Sequence, residues 1–216
     1  MLQELRTGIL SGRYPVGSKL DQQALAGELG ASHIPIRESL RQLEAEGLVR
    51  ILPRRGAFVS ELSIAELREI YLIRQALEPI ATGLAVPSIS ASTILKLRGL
   101  VDRMALLNED QERWQQCNRQ FHFAIYADAR SPFLLQLIGL LWDRSSLFRN
   151  FYTRLETHRD HSQHAHIDIL DACARHDPEA AAKAMTDHIH EASREFIGDA
   201  TSVDAIVGTK AGLKAI

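Results

Sequence analysis

Residues 25–62 read LAGELGASHIPIRESLRQLEAEGLVRILPRRGAFVSEL and begin with two short helical patterns joined by Gly30-Ala31-Ser32. A glycine-containing turn of this length between two helices is typical of a helix-turn-helix. In the second helix, Ile36, Leu40 and Leu43 recur at core spacing, so one face is apolar and the other is polar. With one preceding helix, the pattern predicts three short helices, at about residues 2–11, 22–29 and 33–46.

A β-hairpin is predicted directly after these helices. The runs 48–52 and 57–60 have strand character and flank Pro53-Arg54-Arg55-Gly56, where proline and glycine indicate a tight turn. The two arginines of this turn can follow a phosphate backbone or enter a minor groove. A hairpin after three helices is the wing of a winged helix-turn-helix, so we predict a DNA-binding domain over residues 1–62.

The polar face of the third helix carries His33, Arg37 and Arg41. The two arginines are four residues apart and therefore share this face. An Arg near the start of a recognition helix can bind guanine O6 and N7 with both ends of its guanidinium. The alternative is a winged helix used for protein contacts, with Arg37 paired to Glu38 or Glu44.

This segment resembles the winged-helix domain of the GntR regulator family. The motifs LA-x-x-LG, P-[IV]-RE-x-L, LE-x-EGLV and RGAFV occur in register over about residues 2–62. The resemblance implies that Ser32, Arg37 and the wing around Arg55 and Gly56 contact DNA. One position departs, because His33 stands where the family usually has Arg, and a mostly neutral imidazole binds a phosphate or base less strongly. With the polar-face residues included, the predicted DNA contacts are Ser32, His33, Arg37, Arg41, Arg54, Arg55 and Gly56.

Composition and charge favour a cytoplasmic protein of two domains. The chain has 216 residues, and it contains no apolar run of the roughly 20 residues that a membrane helix needs. Residues 1–62 carry eight Lys and Arg against seven Asp and Glu, whereas the remainder carries 17 against 20. The N-terminus lacks a signal-peptide pattern, and Cys117 and Cys173 form no ligand-type pair, which favours a reduced compartment.

Strand patterns disappear after residue 62, and an all-helical domain is predicted over residues 63–200. Ser63 begins its first helix, and Pro87-Ser88-Ile89-Ser90 separates that helix from the next. Residues 201–216 are weakly patterned, which predicts a flexible tail. The fold class is therefore mainly α, with an N-terminal winged helix-turn-helix and a helical bundle. The six predicted helices of the bundle cover about residues 64–85, 91–107, 110–128, 132–155, 161–175 and 178–197.

Four polar side chains from three of these helices are predicted to point inward. Asn118 and His122 are one turn apart on an apolar face, and His166 and His188 each share a face with apolar neighbours. One interpretation is that each side chain finds its own hydrogen bond within the core. We favour a divalent cation, zinc first and nickel or manganese next, because three imidazoles and one oxygen suit these ions and leave a position open.

Residues 63–198 resemble the FCD ligand-binding domain of the FadR subfamily, in its shorter VanR-like form. The resemblance rests on YLIRQALEPIATGLA, N-R-Q-FH, H-x-x-ILDA and M-x-x-H-I, and it implies a metal held by Asn118, His122, His166 and His188. Asn118 departs from the family, where Asp is commoner, and a neutral amide oxygen should bind a cation more weakly. The resemblance also implies a small carboxylate effector in the same cavity.

Two arginines are candidates for binding such a carboxylate. Arg74 lies on the first helix of the bundle, and its guanidinium could form a forked bond with the effector. An ordinary ion pair with Glu78, one turn on, is the other interpretation, and both stay open. Arg144 is the second candidate of the same kind.

These features predict a ligand-controlled regulator and not an enzyme. We expect a homodimer that presents two recognition helices to a two-fold DNA operator, and a repressor that its effector releases. A three-histidine metal could instead activate water in a hydrolase-like reaction, but no inward Glu, Asp or Lys lies at general-base spacing from the ligands. A metal-free regulator, with the histidines satisfied in the core, is the remaining alternative.

Overall fold

The structure is a computed structural model that describes the backbone of residues 1–107, 110–152 and 157–211. Contacts divide the chain into two compact units. The winged unit contains residues 1–67 and 140–153, and the helical unit contains residues 68–139 and 154–216. Nine α-helices and three short strands in the described ranges confirm the predicted fold class, which is mainly α with a small N-terminal sheet.

The first three helices end and begin at the residues that the sequence indicates. The Asp21 carboxylate accepts hydrogen bonds from the backbone N–H groups of Gln23 and Ala24, at 3.0 and 2.9 Å, and so begins the second helix. Gly47, with φ of 75°, ends the third helix by adopting the left-handed conformation that favours glycine. These helices are α1 (Leu2–Leu10), α2 (Gln22–Glu28) and α3 (His33–Ala45).

A three-stranded antiparallel sheet follows the order β1-β3-β2. The predicted hairpin is present, with Val49 opposite Val59 and Leu52 opposite Gly56. Strand β1 was not predicted, because a strand of only two residues shows no periodic pattern. The strands are β1 (Lys19–Leu20), β2 (Val49–Leu52) and β3 (Gly56–Val59).

The helices after residue 63 begin close to the predicted positions, apart from the fifth. A short 3₁₀ turn, Val86–Ser88, follows the first of them, where Pro87 interrupts the helical pattern. The last helix runs to Ala211, well beyond the predicted end at residue 197, and residues 212–216 of the predicted tail lie outside the described residues. The six helices are α4 (Ile64–Ala85), α5 (Ala91–Leu106), α6 (Gln111–Ala127), α7 (Pro132–Tyr152), α8 (Thr157–Ala174) and α9 (Pro178–Ala211).

Each unit has its own apolar interior. In the winged unit, the core side chains come from α1, α2, α3 and the sheet, and Leu147 of α7 joins them. In the helical unit, α8 packs against both α5 and α9, and α5 also packs against α6. These contacts place the inward faces of α6, α8 and α9 in one interior. Among the described residues, no helix is both long and apolar enough to span a membrane.

Candidate metal centre and nucleic-acid interface

Three of the four predicted metal ligands come together in the helical unit. Nitrogen atoms of His122 on α6, His166 on α8 and His188 on α9 all lie within 4.8 Å of one another. His122 and His166 are buried, and His188 is half-buried. The three side chains could therefore hold a metal ion.

The spacing of the first two histidines suits a shared ion. Nε2 of His122 and Nε2 of His166 are 3.3 Å apart. Two nitrogen ligands at about 2.0–2.1 Å from a tetrahedral zinc are separated by about 3.3 Å. Separations of up to 4.8 Å within the cluster exceed this value, so at least one ring must shift for all three to bind one ion.

Burial keeps two of these imidazoles neutral. It lowers the pKa of His166 well below its usual range, and the neighbouring His188 lowers it further. Burial also lowers the pKa of His188 to about 4; the Glu78 charge opposes this shift and Arg74 adds to it. Because a metal binds the neutral form of histidine, both rings are in the binding-competent protonation state at pH 7.

Two buried polar atoms beside the cluster have no hydrogen-bond partner among the described residues. They are Oδ1 of Asn118 and Nδ1 of His166. An unsatisfied buried polar atom is costly, so such atoms are uncommon in native proteins. Asn118 lies one helical turn before His122 on α6, and its amide oxygen is the fourth donor that the sequence predicts. The residue types present therefore fit a divalent cation.

A chain of hydrogen bonds connects the cluster to α4. Nδ1 of His122 lies 3.1 Å from the Tyr126 hydroxyl, which donates a hydrogen bond to Oε2 of Glu78 at 2.5 Å. The other oxygen of Glu78 accepts from Nε of Arg74, also at 2.5 Å. Burial and the Glu78 carboxylate both raise the pKa of Tyr126 well above its usual value, so its hydroxyl keeps its proton.

Tyr126 was not predicted to support the site, and Glu78 was predicted only as an ion-pair partner of Arg74. A signal was present, because Asn118, His122 and Tyr126 follow one another at four-residue intervals and therefore lie along one face of α6. No pattern in the sequence indicated that Glu78, on another helix, accepts the hydrogen bond.

Arg74 forms the ion pair with Glu78 that one of its two interpretations requires. Its side chain is 4% exposed, and it forms an ion pair with the fully buried Glu78. Its guanidinium also lies 4.9 Å from the centre of the Tyr71 ring. The ion-pair interpretation thus has its partner, and effector binding by Arg74 stays a prediction.

Arg144 lies in the winged unit. Its Nη2 atom is 3.4 Å from Oε1 of Glu66. Its guanidinium also fills the space that a Cβ at Gly47 would occupy, at the end of α3. These contacts support a structural role beside the recognition helix, and its predicted contact with an effector remains untested.

A groove of about 610 Å³ lies between α8 and α9 and includes His188 in its wall. Lys183 contributes a positive charge, which is paired with Asp187 at 2.5 Å. His161 Nδ1 lies 2.9 Å from Glu195 Oε1 in the same groove. The wall also contains the carboxylates of Asp168, Asp187, Glu191 and Glu195.

The predicted DNA-reading face of α3 is exposed. Ser32 begins the helix, but its hydroxyl makes no capping hydrogen bond and is therefore available to a ligand. His33, Arg37 and Arg41 are all exposed. Arg41 contacts Glu38 at 3.3 Å, whereas no described residue forms an ion pair with Arg37. The alternative pairing of Arg37 with Glu38 or Glu44 is therefore not observed.

The hairpin tip also presents its positive charges to solvent. Arg54 and Arg55 are exposed, and Arg54 adopts a φ of 63°, in the left-handed region. Gly56 follows with φ of 102°, a backbone angle that residues with a Cβ rarely adopt. Glycine at this position therefore permits the sharp turn that projects the two arginines.

Comparisons with known proteins match both units. The model of the gntR family of bacterial regulatory proteins matches residues 2–59, and the FCD domain model matches residues 69–191. McbR, an HTH-type transcriptional regulator of Escherichia coli K12, is 32% identical over 143 residues, which span 65% of each chain. A probable D-xylose utilization operon transcriptional repressor of Paenarthrobacter nicotinovorans is 30% identical over 84% of this chain and 80% of its own length.

A solved structure supports the same assignment. The structure of E. coli McbR/YncC has a TM-score of 0.83 to this chain at 25% identity, over 90% of this chain and 94% of that one. These relatives are transcription regulators, which agrees with the prediction that the chain is not an enzyme. The chain belongs to the gntR family of bacterial regulatory proteins, and it is a DNA-binding transcription regulator with an FCD domain behind its helix-turn-helix.

Proposed function

We propose that the chain is a homodimeric repressor whose operator affinity is controlled by a small carboxylate bound at a divalent cation in the FCD domain. The observation that carries the proposal is the cluster of His122, His166 and His188, together with the Oδ1 of Asn118 on α6, which has no hydrogen-bond partner among the described residues. These four residues would hold the ion, with zinc the first candidate and nickel or manganese the next. When bound, such an ion supplies a Lewis acid that attracts a carboxylate oxygen.

The charge of the groove makes effector binding dependent on the cation. Four carboxylates and one lysine line the groove that reaches His188. An anion that enters there is repelled, because like charges in a partly enclosed site interact strongly. A cation on the histidines reverses this local field. We therefore expect the carboxylate to bind only the metal-loaded protein.

The DNA side of the proposal rests on exposed groups of the winged unit. Arg37 is exposed and unpaired among the described residues, so its guanidinium can bind a guanine edge without first breaking an ion pair. Ser32, His33 and Arg41 flank it, and Arg54, Arg55 and Gly56 would follow the phosphate backbone. We place this activity in the cytoplasm, where bacterial DNA lies.

Exposed apolar stripes on two helices support a dimer. Ile73, Ile80 and Leu84 are 45%, 55% and 54% exposed and recur at helical spacing on α4. A second stripe on α7 consists of Phe133, Leu137 and Leu140. Helices that expose apolar residues at such spacing usually pack against another chain. A second copy of this chain would present two recognition helices to a two-fold operator.

Effector control requires a difference between two arrangements of the dimer. The carboxylate must bind more tightly when the recognition helices are poorly placed for the operator than when they are well placed. Release from DNA then follows from binding in the FCD domain. The effector then lowers operator affinity, and for a repressor this release restores transcription.

The test is the metal content of the purified, untagged chain, compared with the double variant His122→Ala, His166→Ala. We expect about one zinc, nickel or manganese ion per chain in the wild type, and none in the variant. Thermal unfolding of both proteins checks that the variant is folded. Absence of metal from the wild type after soaking with each cation would contradict the proposal and favour a metal-free regulator.

A further inference from the structure

We infer that Glu78 and Tyr126 hold the His122 imidazole in the tautomer whose Nε2 carries the free lone pair, and that they are therefore positioning residues for metal binding. The inference rests on the metal site proposed above. The presence of three histidines does not fix the tautomer of His122. Each neutral imidazole has one protonated nitrogen and one nitrogen with a free lone pair, and only the lone pair binds a metal.

The Glu78 carboxylate accepts hydrogen bonds from both Arg74 and Tyr126. An ionised carboxylate only accepts, and the guanidinium of Arg74 only donates. Arg74 Nε donates to Oε1 of Glu78 at 2.5 Å. The second oxygen, Oε2, lies 2.5 Å from the Tyr126 hydroxyl, which must therefore be the donor in that contact.

The direction at Tyr126 then fixes the protonation of His122. A tyrosine hydroxyl has a single proton, which this one directs toward Glu78. The weakly accepting sulfur of Met185, 3.5 Å away, does not compete with a carboxylate for that proton. Toward Nδ1 of His122, 3.1 Å away, the hydroxyl can only accept, so Nδ1 carries the ring proton.

The lone pair of His122 is consequently on Nε2. This is the nitrogen that faces the cluster, 3.3 Å from Nε2 of His166. Histidine ligands of metals usually donate their other ring N–H to an oxygen, which orients the ring and raises its basicity. The Tyr126 hydroxyl serves as that oxygen here. Because its proton is donated to Glu78, the hydroxyl cannot donate to Nδ1 of His122 instead.

Burial removes the solvent that could otherwise change this arrangement. Glu78 is 0% exposed, and Tyr126 and His122 are each 1% exposed. A role limited to stability would need one oxygen of Glu78 for Arg74. The structure uses both oxygens, and the second one leads through Tyr126 to a metal ligand.

Zinc affinity of the full chain tests the inference, measured by competition with a chelating dye. Tyr126→Phe keeps the buried ring and removes the hydroxyl, and we expect its zinc affinity to fall about 10- to 100-fold. Tyr14→Phe is the matched control, because it removes the hydroxyl from another tyrosine that donates to a glutamate, Glu28, at 3.0 Å in the winged unit. The control should bind zinc as the wild type does.

Nitrogen-15 spectra of histidine-labelled, metal-free protein show which ring nitrogen of His122 carries the proton. A variant that affected only stability would not change that tautomer. In the wild type, the His122 signals, assigned by their loss in His122→Gln, should show a protonated Nδ1. In Glu78→Gln, the amide oxygen must face Arg74 and the amide nitrogen must face Tyr126, so the tyrosine donates to His122. We expect the His122 proton to move to Nε2 in that variant.

The outcomes separate this inference from the proposed function. A wild type that binds zinc while His122 is protonated at Nε2 in the metal-free state, or a Tyr126→Phe variant that binds zinc as tightly as the wild type, would overturn the inference and leave the metal site standing. A wild type that binds no zinc would overturn the metal site, and the inference with it. Zinc binding by the wild type, weakened only in Tyr126→Phe, supports both.

Discussion

Arg41 with Glu38 in the winged unit and Arg74 with Glu78 in the helical unit are similar pairs in opposite surroundings. The first pair has a contact of 3.3 Å, and both side chains are more than 60% exposed. The second has a contact of 2.5 Å, with side chains 4% and 0% exposed. Each pair joins one Arg to one Glu within about one helical turn, so the difference in burial sets which charges remain available to a partner.

This difference suits a chain that binds DNA with its winged unit and that, as proposed, senses a ligand with its helical unit. Charges on the outer face of α3 are hydrated and weakly held, so DNA can recruit them at little cost. The charges beside the histidine cluster are bonded to one another in the interior, where each bond constrains the next. The winged unit therefore presents exposed arginines to a partner, and the helical unit holds its charged groups in a fixed arrangement of hydrogen bonds.

The largest expected effect is on the free energy of unfolding, when the glutamate of each pair is replaced by alanine. Glu78→Ala removes the carboxylate that pairs with a buried guanidinium, which should lower the free energy of unfolding by about 3–5 kcal/mol. Glu38→Ala removes one member of an exposed pair and should change it by about 0.5 kcal/mol or less. Urea unfolding at one protein concentration measures both, and equal losses would contradict the contrast.

The next effect concerns DNA. Arg37→Ala should weaken operator binding by about 1–3 kcal/mol and leave the unfolding free energy unchanged, because the side chain is exposed and is predicted to bind a base edge. Fluorescence anisotropy with an operator selected from random duplexes measures this loss. Arg194→Ala, an exposed arginine of the helical unit, is the control. An equal loss on unrelated DNA would indicate a phosphate contact instead.

The sequence predicted the elements whose boundaries are set locally. Helix α4 begins where Ser63 and Glu66 form a reciprocal cap, with Ser63 N–H donating to the Glu66 carboxylate at 2.9 Å. It ends at Ala85, where the 3₁₀ turn Val86–Ser88, which contains Pro87, begins. Strand β1 was missed because Lys19 and Leu20 become a strand only by pairing with Phe58 and Ala57 of β3.

The histidine cluster could also be predicted from local patterns, but the hydrogen bonds of Tyr126 and Glu78 beside it could not. His122, His166 and His188 each show their inward direction through the apolar residues that share their helical face. The bond between Tyr126 and Glu78 depends on how α6 and α4 approach and rotate, which no single helix encodes. Helical periodicity indicates which way a side chain points, but not which atom it meets.

A smaller effect tests the departure at Asn118. Asn118→Asp supplies a charged oxygen beside the cluster, and we expect zinc affinity to rise about tenfold, or about 1.4 kcal/mol. The metal-free variant should be less stable than the wild type, because it buries a carboxylate without a cation. Chelator competition measures the affinity. Asn118→Leu is the opposite control, and similar affinities in all three proteins would show that residue 118 is not a ligand.

The smallest effect concerns an apolar side chain on the recognition helix. Ile34 is 75% exposed on α3, close to Arg37, and an aliphatic group at this position suits the methyl group of thymine. Ile34→Ala should weaken operator binding by about 1 kcal/mol or less. Replacing each thymine of the operator by uracil should weaken DNA binding by the wild type and leave binding by the variant unchanged. An additive loss in the variant would exclude the contact.

The most direct test of the account is the effect of carboxylates on operator binding, measured by anisotropy with and without zinc. A panel of acetate, malate and citrate spans one to three carboxylate groups. We expect at least one of them to release the zinc-loaded wild type from its operator, and none of them to affect the metal-free protein or His166→Gln. Release that persists without zinc or in His166→Gln, or a complete absence of release, would contradict the account.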